Sequence, residues 1–160
     1  MDSQLLRAEE LGIKLEFVAG LPIWEASPVY RHQKEIDRIR ESISKITESN
    51  TCQCIHISDV YVEFADGSLK RPDISIFCRE PDEQEEAVKL LPAAVIEIIS
   101  KGYEKKDLEI GVPFYLSQNV KDIVVFNPYT LEVFHFKDNE TRHLTSPVSI
   151  DFECGCSCIV

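Results

Sequence analysis

Two carboxylates interrupt runs of apolar residues that would otherwise read as buried strands. Asp73 follows Arg71-Pro72 and opens the run ISIF, and Glu97 sits inside AVIEIIS at 94–100. An ionised carboxylate taken out of water alone is very costly, so it must be paired, hydrogen-bonded or bound to metal. Strand side chains alternate, which puts positions 93, 95, 97, 99 and 101 on one face. If the strands at 73–77 and 94–100 are neighbours, Asp73 and Glu97 converge on a single hard cation. Mg²⁺ or Mn²⁺ suits them, because such ions favour oxygen ligands and keep several waters. The competing use of Asp73 is structural, as a strand cap paired with Arg71 or with backbone N–H groups.

The elements that would position this pair are legible in outline. KLEFVAGLPIWE at 14–25 predicts a hairpin turning at Ala19-Gly20. Ser27-Pro28 has the form of a helix start, and Val29, Ile36, Ile39, Ile43 and Ile46 give one apolar stripe, predicting a long first helix over about 28–48 with His32 on its buried side. Strands are expected at 54–64, 73–77, 94–100, 122–126 and 131–136, the last two joined as a hairpin through Asn127-Pro128. A shorter helix is expected over 104–118, kinked or restarted where Gly111 and Pro113 interrupt it. This predicts an α/β (α+β) layered domain with a mixed central sheet flanked by helices.

A chain of 160 residues suits one domain, 1–160. Its longest apolar runs fall far below the ~18 residues that a bilayer crossing needs, so no membrane partner is expected and the location read is cytoplasmic. The formal charge of −11 argues against non-specific coating of nucleic acid, although Lys101, Lys105, Lys106, Lys70 and Arg71 concentrate positive charge locally. Six cysteines occur without a C-x-x-C pair, so reduced thiols are the expected state. The run Cys154-Gly155-Cys156-Ser157-Cys158 would put three sulfurs on one strand face, a weak zinc pattern without further ligands nearby.

Pro72-Asp73 followed by Glu97 on the next apolar strand resembles the PD-(D/E)XK superfamily of restriction-endonuclease-like folds, whose motif is Pro-Asp on one strand and Glu-x-Lys on the next. The chain further resembles, over nearly its full length, the Uma-two family of restriction-endonuclease-like proteins. LEFVAG (15–20), SPVYRHQ (27–33), RPDISIF, AVIEIIS, Lys106-Asp107 with Tyr115 eight residues beyond, and VKDIVVFNP follow in the family's order. The resemblance implies a metal-dependent endonuclease acting on DNA, with Asp73, Glu97 and the backbone carbonyl of Ile98 holding Mg²⁺ or Mn²⁺. Glu16, His32, Asp107 and Tyr115 inherit positions around the site, and a homodimer acting on duplex DNA is the expected assembly.

Two departures bear on activity. Ile99 stands where the superfamily motif has lysine, and Gly111 stands where many relatives carry a substituting lysine, four residues after the helix aspartate. Lys101 is the expected catalytic replacement. It shares the parity of Glu97, although four extended residues cover about 13 Å, so the chain must turn after Ser100 for its amine to return. Lys105 and Lys106 are the further candidates. The competing expectation is a catalytically degenerate nuclease fold acting as a binding or regulatory module.

Overall fold

A computed structural model describes residues 3–25 and 28–160. In chain order the elements are α1 (Ser3–Glu10), the hairpin β1 (Leu15–Val18) and β2 (Leu21–Trp24), α2 (Tyr30–Ser42), β3 (Ser44–Lys45), β4 (Ile55–Ile57), β5 (Val62–Glu63), β6 (Leu69–Lys70), β7 (Ile74–Phe77) and β8 (Ala94–Ile98). A π-helical segment, Lys106–Gly111, runs directly into α3 (Val112–Ser117). Then follow β9 (Asp122–Asn127), β10 (Glu132–Lys137), β11 (Glu140–Thr145), β12 (Ser149–Asp151) and β13 (Cys156–Ile159). Among the described residues no helix is long and apolar enough to cross a membrane.

The central sheet has the order β11-β10-β9-β8-β7-β4. It is mixed, because β8 and β9 run parallel while the other neighbours are antiparallel. Its middle strands are buried on both faces, as uninterrupted apolar runs require. Alternation sorts their side chains: Ile74, Ile76, Ile96, Ile98, Val124 and Phe126 pack with Ile36 and Ile39 of α2. Phe77, Val95, Ile99, Ile123 and Val125 pack instead against Phe114 and Tyr115 of α3. Each such side chain contributes roughly 1.5–3 kcal/mol on full burial, so the register that keeps both sets inside is strongly fixed. Glu97 therefore faces α3. A second sheet, β2-β1-β6-β5, carries the N-terminal hairpin, and a third, β12-β13-β3, holds the C-terminus.

Several expectations are corrected here. The helix with the apolar stripe begins at Tyr30, with Val29 as its extended N-cap residue, and ends at Ser42; Ser27 lies outside the described residues. It ends early because Ser42 Oγ donates to the Ile39 carbonyl at 2.6 Å and accepts the Ile159 N–H at 2.8 Å, and the chain then pairs as β3 with β13. Ile43 still packs against the core from an extended backbone, which is why the apolar period outlasts the helix. The strand expected at 54–64 breaks into β4 and β5 around Asp59, whose φ is +60°. Reduced thiols were expected, but Cys52–Cys78 and Cys54–Cys156 form disulfides. Their partners lie 26 and 102 residues apart, separations that local spacing cannot reveal.

Candidate functional site

The register Ile74↔Ile96 between antiparallel β7 and β8 puts Asp73 opposite Glu97 at the carboxyl end of β8. The Asp73 N–H donates to Glu97 Oε2 at 3.2 Å, and the Ile98 N–H donates to Asp73 Oδ2 at 2.7 Å. From α2, His32 Nε2 lies 3.2 Å from Asp73 Oδ2 and 3.1 Å from the Ile98 carbonyl oxygen. Neither of these oxygens can donate, so Nε2 carries the proton. Burial alone would lower the pKa of His32, but its hydrogen bond to Asp73 carries it above the ordinary value. Asp73, Ile98 and His32 line a cavity of about 20 Å³ with Glu25, Lys106 and Asp107, room for one water or one ion.

Behind this cavity the hairpin, β6 and the π-helical segment bring further charges together. Glu97 is 2% exposed; its Oε1 accepts a 2.5 Å hydrogen bond from the Tyr115 hydroxyl and lies 3.9 Å from Lys70 Nζ. Lys70 is itself buried and donates to Glu16 Oε2 at 2.6 Å, while Glu16 Oε1 accepts the Arg71 N–H at 2.7 Å. Lys106 Nζ reaches Glu25 Oε1 at 2.8 Å and Asp107 Oδ1 at 3.0 Å. Five carboxylates, from Glu16, Glu25, Asp73, Glu97 and Asp107, thus surround the two ammonium groups of Lys70 and Lys106.

The imbalance shows in the titration of the group. Burial and then the charge of Asp73 push Glu97 well above the usual carboxylate range. Burial and Glu16 raise Glu25 to about 7, and burial raises Asp107 as well. Burial would also raise Glu16, but Lys70 and Lys106 hold it below its ordinary value. Burial works against both lysines, yet Glu16 and Glu97 keep Lys70 protonated, and Glu97, Asp107, Glu16 and Glu25 do the same for Lys106. A divalent cation fits such a set, since the uncompensated charge is negative and Asp73, Glu25, Asp107 and the Ile98 carbonyl bring oxygen ligands to a cavity that Lys14, Lys106 and His32 also line.

The chain matches the Uma2 family model, described as "Putative restriction endonuclease", over residues 2–153. It belongs to this family. No curated protein matches. Among solved structures, one described as "a putative nuclease belonging to DUF820 from Anabaena variabilis ATCC 29413" is 19% identical, with a TM-score of 0.64 over 85% of this chain and 79% of that chain. The two share a fold, a mixed sheet with a few helices.

In this Uma2 chain the cluster gathers Asp73, Glu97, the Ile98 carbonyl, His32, Glu16, Asp107 and Tyr115. Lys101 stands apart. The chain does turn after Ser100, with Gly102 at φ +86°, but the Lys101 side chain is exposed and does not line the cavity. The cations within the carboxylate cluster are Lys106 and Lys70, and Lys14, which pairs with Asp59, also lines the cavity. A β-carbon built on Gly111 would lie 4.0 Å from Lys70 Nζ, so the ammonium group of Lys70 occupies the space into which a side chain at position 111 would grow. Sequence reasoning had Lys70 only as local positive charge and missed Glu25 altogether. Gly111 was the available signal: where a family position loses its lysine, the charge requirement remains and another strand can meet it.

Proposed function

We propose that this chain is a metal-dependent endonuclease that hydrolyses phosphodiester bonds of DNA. The observation that carries this reading is the meeting of Asp73 and Glu97 across β7 and β8 within a surplus of buried carboxylates. Asp73, Glu97 and the Ile98 carbonyl would hold Mg²⁺ or Mn²⁺. When bound, that ion supplies a water of lowered pKa and positive charge against the phosphate oxygens. His32 keeps the Asp73 carboxylate turned toward Ile98, and Tyr115 orients Glu97 through its hydroxyl. Lys106, protonated at the cavity wall, offsets negative charge developing on the phosphate. Lys70, buried beneath, fixes Glu16 and offsets part of the charge on Glu97. Two copies acting on the two strands of a duplex belong to the same reading.

A supercoiled plasmid incubated with Mg²⁺ or Mn²⁺ tests the assignment. Cleavage is expected for the wild type and a fall of roughly 10³-fold for Asp73→Ala, about 4 kcal/mol of transition-state stabilisation; equal rates would rule it out. One observation favours the competing reading of a module that binds without cutting: both Glu97 oxygens already take hydrogen bonds from the protein. Calorimetric titration separates the two. Mn²⁺ binding that disappears in Glu97→Gln supports the enzyme, and no binding by the wild type supports the module.

A further inference from the structure

At the opposite side of the central sheet from α3, the fold collects sulfur atoms that the site above does not use. Cys52 and Cys54 precede and enter β4, Cys78 follows β7, and Cys154 and Cys156 lead into β13. The sulfurs of Cys52, Cys54 and Cys156 lie within 4.8 Å of one another, as do those of Cys52, Cys78 and Cys154. The two disulfide pairs also touch each other, with the Cys52 and Cys156 sulfurs 3.5 Å apart. Isolated structural disulfides do not need to meet; four ligands of one ion do. Thiolates around Zn²⁺ sit ≈ 2.3 Å from the metal, which separates neighbouring sulfurs by roughly 3.8 Å.

We propose that the reduced protein binds one Zn²⁺ at this place, through Cys52, Cys54 and Cys156, whose sulfurs already lie within 4.8 Å of one another, with Cys78, the disulfide partner of Cys52, swinging in as the fourth ligand once the disulfides open. The backbone supports the reading: each Cys-x-Cys segment bends at a residue of positive φ, Cys54 at +53° and Gly155 at +91°. A larger residue at Gly155 would be strained by its left-handed backbone and would have to displace the Asn50 side chain, which a β-carbon there would approach to 2.5–2.6 Å. That same Asn50, whose Oδ1 accepts the Cys52 N–H at 3.4 Å, has a buried Nδ2 with no hydrogen-bond partner among the described residues, a spare donor on a residue bonded to one of the proposed ligands. Reduction of the two disulfides by a dithiol delivers two electrons and two protons to each. Binding of Zn²⁺ by the four thiols then releases four protons and leaves a complex of charge −2. Four protein thiolates fill a tetrahedral ion, so the site is structural and closed. It ties the three-stranded C-terminal sheet to the edge of the central one. Cys158, whose sulfur lies in the apolar core with its pKa pushed up to about 12 by burial, takes no part.

The protein is produced in zinc-supplemented medium and purified without chelator. Zinc per chain is then measured, and thiols are counted after denaturation with chelator but without reductant. The expected result is about one zinc per chain, six reactive thiols, loss of the metal in Cys156→Ser and its retention in Cys158→Ala. Because Cys156→Ser can also unfold, Co²⁺ is titrated into the reduced wild type, where intense thiolate-to-cobalt absorption is expected. Two reactive thiols with no metal would identify permanent disulfides and overturn the proposal. Six reactive thiols without zinc or cobalt binding would overturn it as well.

Discussion

Two buried acidic groups in this molecule are treated in opposite ways. At the start of β9, Asp122 is fully buried; its Oδ1 meets His135 Nε2 at 2.7 Å and its Oδ2 accepts the Glu153 N–H at 2.9 Å. One acid, one imidazole and one backbone donor nearly close on themselves. At the end of β8, five carboxylates share two lysines, and Glu97 and Glu25 are forced toward their protonated forms. Burial with matched partners holds a fold together, whereas burial of unmatched charge lowers stability and persists where a ligand supplies the missing counter-charge.

Removing one member from each group should widen that contrast most. Asp122→Ala strands a buried imidazole N–H and a backbone N–H, and should cost about 3–5 kcal/mol while the folded fraction retains its cleavage rate. Glu97→Gln keeps an acceptor for the Asp73 N–H, can donate its amide N–H to the Tyr115 hydroxyl oxygen in place of the present bond, and removes the charge that the metal-free site cannot balance, so urea unfolding in chelator should show little loss of stability. Comparable destabilisation by the two variants would erase the distinction.

A pH series probes the same imbalance at Glu25, which faces Lys106, Glu16 and Asp73. Its folded pKa of about 7 lies above the ordinary 4.5, so folding is unpenalised below pH 4.5. Stability then falls as pH rises toward 7, because the unfolded chain releases the proton first. Above pH 7 the penalty is constant, about 3 kcal/mol at 1.36 kcal/mol per unit. Glu25→Gln should therefore stabilise the metal-free protein at pH 8 by up to that amount and leave it unchanged at pH 4. A gain of the same size at both pH values would show that the charge is irrelevant.

The carboxylate pair could be read from the sequence because strand period and apolar context are local properties: Glu97 has isoleucines on either side and Asp73 opens the preceding apolar run. The central strands and the hairpin were legible for the same reason. What escaped depends on contacts across long stretches of chain. Lys70 finds Glu16 54 residues away, and Cys52 touches Cys156 across 104. The end of α2 is set by a serine hydroxyl bonding to the last strand, which no helical period announces. β11 is exposed at five of six positions, so ETRHLT carries no apolar alternation to mark it as a strand.

The smallest expected effect concerns which lysine faces the phosphate. Position parity with Glu97 pointed to Lys101, while the cavity is lined by Lys106, whose ammonium is held between Glu25 and Asp107. A lysine that offsets charge from the wall should cost about tenfold in plasmid cleavage when removed, or ~1.4 kcal/mol, with Mn²⁺ affinity nearly unchanged. An exposed lysine outside the cavity should cost under about twofold, within the range of a screened surface charge. Cleavage rates of Lys106→Ala and Lys101→Ala at low and high salt discriminate between the two positions. If Lys101→Ala gives the larger loss, the turn after Ser100 must fold its amine back over the site when substrate binds, and the charge that matters is supplied by a loop instead of the π-helical segment.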